Sequence, residues 1–150
     1  MNNAESSGAR TRARELLLQA LYQHLIAGHD ADELLGQFRE HAAYRRADGE
    51  YFEELLPAIC ATREALEAGI DEIIDRPLVQ LDPVELAILL IGVHELTKRV
   101  DVPYRVVINE GVNLAKRFGA ADSHKYINAC LDAASKSMRD SEIKARARAE

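Results

Sequence analysis

One stretch restricts this chain more than any other. Asp82-Pro83-Val84-Glu85 reads as an N-cap, a proline at the first helical position and an acid in the first turn. Behind it come Leu86, Ala87, Ile88, Leu89, Leu90, Ile91, Val93 and Leu96, which together cover every side of a helix. A helix that is apolar all round belongs in the middle of a protein or in a membrane. The unbroken run, Leu86 to Val93, is eight residues long, and a membrane span needs about 20. The segment is therefore expected to be the buried centre of a helical protein.

Elsewhere the spacing is helical too. Helices are predicted from about Thr11 to Ala27, Ala31 to Ala43, and Gly49 to Ala68, where Pro57 either kinks the helix or breaks it. A short segment with Ile70, Ile73 and Ile74 stops at Pro77. After the central helix come Arg105 to Phe118 and a last helix opening at Asp122 or Ser123. Gly28 and Gly119 are expected stops, and Asp30 and Asp122 expected caps. The 150 residues suffice for one domain. The expectation is an all-α, compact bundle of about seven helices over residues 1–150. Residues 1–9 and 141–150 are expected to be flexible, since they lack apolar anchors.

Residues for catalysis are hard to assemble. Cys60 and Cys130 lie 70 positions apart with no CxxC, which suits free thiols in a reducing compartment. The five histidines show no metal spacing, and Ser123-His124 are adjacent without a third orienting group. There is no glycine-rich phosphate loop and no apolar signal segment at the N-terminus. The chain reads as a soluble cytoplasmic protein with no catalytic residue, metal or cofactor.

The charge is unevenly spread. The net value of −6 divides into +1 over residues 1–29, −11 over 30–97 and +4 over 98–150. Two surfaces with different partners are implied. Two features could meet an anion. Arg10, Arg12 and Arg14 stand where the first helix is expected to begin, and cations there oppose the helix dipole. They are either a solubilising end or a phosphate-binding arm. The run Lys116 to Tyr126 interleaves Lys116, Arg117 and Lys125 with Phe118 and Tyr126. Its rings are either core or stacking platforms for single-stranded RNA.

At these residues the chain resembles the NusB transcription antitermination family. RARELLLQALYQ (12–23), the spacing of ELAILLIGVHEL (85–96), and DVPYRVVINEGVNLAKRFGAADSHKYINACLD (101–132) carry the likeness, which spans about residues 10–135. The resemblance implies two packed helical subdomains and no catalysis. It implies binding to the boxA element of ribosomal RNA leader transcripts, jointly with NusE, a small-subunit ribosomal protein. It also implies an antitermination complex on RNA polymerase with other Nus factors, and admits a homodimer. Carried over, the RNA-binding residues are Arg10, Arg12 and Arg14 with Asp122, Lys125 and Tyr126, and the NusE contacts are Tyr22 and Glu85. Leu90, His94 and Ala129 depart from the family, where Arg, Tyr and Gly are common; Thr11 interrupts a denser arginine run. Two other readings compete. One is a protein-binding helical adaptor. The other is a detached substrate-binding module like the NusB-like domain of ribosomal RNA methyltransferases.

Overall fold

The computed structural model describes residues 3–150, with side chains from Gly8 onward. Among them are eight α-helices and two short 3-10 turns. The chain divides into two compact units, residues 1–63 and 64–150. Among the described residues no helix is long and apolar enough to cross a membrane.

The first unit holds α1 (Asn3–Ala27), α2 (Ala31–Arg39), the turn Tyr44–Arg46 and α3 (Gly49–Ala61). Leu17, Leu21, Leu34, Phe38, Phe52 and Leu55 are buried, and α1 packs on both α2 and α3. Gly28 ends α1 with φ +73, a conformation costly to any residue with a Cβ. Asp30 caps α2 as expected, accepting from the Glu33 N–H at 2.9 Å. Asp48 does the same for α3 at Tyr51 (3.1 Å), while its own N–H donates to the Ala9 carbonyl at 2.9 Å. Tyr44 donates to the Glu53 carboxylate, which Arg39 also holds at 2.6 Å. Burial and that hydrogen bond push the phenol pKa up to about 12.

The expected helix from Gly49 to Ala68 is two helices. Pro57 lies inside α3 without ending it; the break falls at Thr62. There the hydroxyl donates to the Ala58 carbonyl at 2.7 Å, competing with the backbone ladder. A new helix, α4 (Arg63–Asp71), follows.

Most of the second unit is built on α5 (Pro83–Lys98), which packs on α6 (Tyr104–Phe118) and α7 (Ser123–Met138). Asp82 caps α5 through the Val84 N–H at 2.7 Å. Every residue from Ala87 to Leu96 is buried, Leu90 included. Leu131 of α7 is the wedge: a Cβ at Gly92 would lie 2.6 Å from it, and one at Gly111 only 2.5 Å. Glycine at both positions lets α5 and α6 close on one leucine.

The tail expected to fray is helical. It forms α8 (Asp140–Ala149), with Lys144 paired to Asp140 at 3.2 Å and Arg146 to Glu150 at 3.7 Å. Its anchor is Arg139, buried at the α7–α8 junction. Its guanidinium donates to the carbonyls of Leu96 (2.7 Å), Glu95 (3.1 Å) and Arg99 (3.0 Å), and so closes the C-terminus of α5. It also binds Glu142 at 2.5 Å, and Glu142 in turn accepts from the Tyr104 N–H at 3.1 Å, at the start of α6. A cation thus meets the negative end of one helix and an anion the positive end of the next. Of the segment 1–9 expected to be flexible, residues 3–9 belong to α1 and the rest lies outside the described residues.

Candidate nucleic-acid interface

The three arginines of the first unit do not begin a helix. α1 opens at Asn3, so they sit within it, and the helix turn sorts them. Arg10 and Arg14 are four apart and share a face; Arg12 lies on the far side. Arg14 is buried, at 2% exposure. Its guanidinium carbon is 5.5 Å from the centre of the Tyr51 ring, and that of Arg10 is 4.2 Å from the same ring. Arg10 also pairs with Asp48 at 3.6 Å and keeps 34% of its side chain exposed. Arg12 is exposed. The arm of three projecting cations is therefore corrected: Arg14 lies inside the fold, Arg10 is partly neutralised, and Arg12 faces solvent.

The second set lies in the other unit, around the start of α7. Lys125 and Asp122 are exposed and face each other at 3.6 Å. Asp122 occupies the cap position but its carboxylate makes no capping hydrogen bond, contrary to expectation. The Lys125 N–H, which such a cap could take, bonds to the Asp122 backbone carbonyl at 3.1 Å. Tyr126 is half-buried, and its hydroxyl oxygen is buried with no hydrogen-bond partner among the described residues. Burial, with Cys130 adding to it, pushes the phenol pKa far up, so the ring stays neutral. Phe118 is half-buried beneath the Arg117 guanidinium at 5.3 Å.

The two residues expected to meet NusE differ in setting. Tyr22 is exposed at 41% on α1, with Ile26 one turn on at 59%. Glu85, in the first turn of α5, accepts the Ser123 hydroxyl at 2.9 Å. That bond ties the beginnings of α5 and α7 together, so Glu85 has a structural duty within its own unit.

Other candidates resolve into structural roles. The His24 ring meets the His29 carbonyl at 2.8 Å, and the His29 ring meets Gln23 at 3.3 Å. Both cysteines are free thiols, and burial raises the pKa of each. Among the described residues no group of His, Cys, Asp and Glu is placed to hold a metal ion. One residue the spacing did not mark is Arg76, just before Pro77. Its guanidinium lies 4.3 Å from the Tyr126 ring centre. The signal, a basic residue in a linker, carries no period, so only the fold reveals its neighbour.

Comparison with known proteins bears on what this arrangement serves. Residues 11–136 match the NusB family. A transcription antitermination protein NusB of Pseudomonas putida is 47% identical over 142 residues, covering 95% of this chain and 86% of the relative. One of Paraburkholderia phymatum is 47% identical over 140 residues, covering 93% and 97%. The solved structure of T. maritima NusB superposes with a TM-score of 0.76 at 26% identity, over 85% of this chain and 90% of that one. The match takes in α1 from Thr11, the buried α5 and the block around Lys125 and Tyr126: the chain belongs to the NusB family.

Proposed function

We propose that this chain is an RNA-binding transcription antitermination factor. It binds the boxA element of ribosomal RNA leader transcripts in complex with NusE, and joins RNA polymerase with other Nus factors to keep transcription processive. The observation that carries this reading is the near-complete match to relatives named as antitermination proteins. The local chemistry agrees with it. Arg12 and Lys125 are solvent-facing cations able to meet phosphate, with Arg10 as a partly engaged third. Next to Lys125 in the chain, Tyr126 is a neutral ring that lies under the Arg76 guanidinium. Tyr22 offers an exposed aromatic to a protein partner, the kind of residue enriched at interfaces. The −11 net charge of residues 30–97 suits a basic ribosomal protein. The protein acts by binding, with no catalytic residue and no cofactor, in the cytoplasm where leader transcripts are made. Affinity capture of the tagged chain from a bacterial extract tests this. NusE and boxA-containing leader RNA are expected in the eluate together; recovery of neither would overturn the proposal.

A further inference from the structure

Arg76 belongs to none of the residue sets assigned above. It lies between α4 and the turn Leu78–Gln80, and its guanidinium carbon sits 4.3 Å from the centre of the Tyr126 ring. Its Nε donates to the Asp75 carboxylate at 2.8 Å, and that hydrogen bond holds the carboxyl below its ordinary range. The Arg76 side chain remains 43% exposed. Beneath it, Tyr126 is anchored by a buried hydroxyl end.

These distances order the layers. Stacked groups in contact lie about 3.5 Å apart, so a base between ring and guanidinium would need about 7 Å. The observed 4.3 Å leaves no room. The layer offered to solvent is the guanidinium, which is planar, weakly hydrated and well suited to lie against a base. Asp75 offsets much of its charge, which weakens it as a phosphate ligand but leaves its flat face in place. Asp75 also fixes the plane, because the Nε–H direction is set by the hydrogen bond.

We infer that Arg76, seated on Tyr126 and oriented by Asp75, is the platform on which an unpaired RNA base stacks, with the Tyr126 ring as its support. This rests on the RNA-binding reading above and assigns the stacking surface within it. Lysine is no substitute at this position, because an ammonium is a compact charge without a plane.

The test uses the full chain and a single-stranded boxA RNA, with a set of the same RNA carrying one abasic position each. Arg76→Ala is expected to weaken binding roughly 5- to 100-fold, the range for one stacked base. Arg76→Lys should weaken it as much while leaving the salt dependence unchanged. For one abasic RNA the wild-type advantage over both variants should vanish. Thermal melts of the variants should match the wild type, since the side chain is exposed. Wild-type affinity in Arg76→Lys would overturn the inference in favour of simple charge. Wild-type affinity in Arg76→Ala would remove Arg76 from the interface while leaving the RNA-binding reading intact. Failure of the wild-type chain to bind any of these RNAs would defeat both.

Discussion

Arg12 and Arg14 are two positions apart, which on an α-helix is a rotation of about 200°. That rotation gives them opposite duties. Arg14→Ala removes a buried guanidinium from beside Tyr51 and is expected to cost about 2–3 kcal/mol in denaturant unfolding. Arg12→Ala should change stability by under about 0.5 kcal/mol and instead flatten the salt dependence of RNA binding by about 0.7 in log–log slope. Equal losses of stability in the two variants would refute this division. The alternating arginines were legible as a cluster in the sequence. Their division was not, because it depends on what covers each face of α1, and no local spacing shows that Tyr51 of α3 lies against Arg10 and Arg14. Tyr126 presents a related case. Its place near an exposed lysine could be read from the DSHKY block, whereas its buried hydroxyl could not. Tyr126→Phe removes a buried oxygen that makes no hydrogen bond of normal geometry but lies near Cys130 and Asp75, so it should keep stability within about 1 kcal/mol and leave RNA affinity unchanged. A larger drop in stability would show that the hydroxyl is bonded after all. At Asp122 the carboxylate is exposed and caps nothing. Asp122→Asn should keep stability within about 0.5 kcal/mol and tighten boxA binding by roughly two- to fivefold, the scale of one surface charge pair. Weakening confined to boxA, with a scrambled RNA unaffected, would instead make Asp122 a reader of bases.

Helix boundaries followed local chemistry wherever a cap supplied it. Asp30, Asp82 and Gly28 each perform the role their residue type suggests, because a cap needs partners only two to four residues away. Thr62 and Arg139 show where that reasoning stops. Thr62 ends α3 five residues after the proline that looked the better breaker. Arg139 orders α8 through carbonyls more than 40 residues earlier in the chain, a pairing no periodic pattern encodes. The same residue yields a prediction at this scale. Arg139→Ala takes the guanidinium donor from the Leu96 and Glu95 carbonyls and leaves the Glu142 carboxylate without its cation. The cost should be about 3–5 kcal/mol in equilibrium unfolding, the range for breaking a buried charged network. Helicity should also fall by about the length of α8. A loss under about 1 kcal/mol would mean that α5 keeps its end without help.

Across the whole molecule, charge is the property with the clearest consequence. An acidic chain in which only a few of the residues assigned to RNA are solvent-facing cations is expected to bind RNA weakly on its own. With Arg14 buried, about two to four phosphate contacts remain, and the log–log salt slope should be roughly −1.5 to −3. Tight binding then requires a second, basic component, which is the place the proposal gives to NusE. The deciding measurement is a titration of labelled boxA RNA by the chain, with and without NusE, at several salt concentrations. Weak, salt-dependent binding by the chain alone, strong tightening by NusE, and no such tightening on a scrambled RNA are expected. Binding that ignores salt, or that NusE leaves unchanged on boxA, would contradict the proposal.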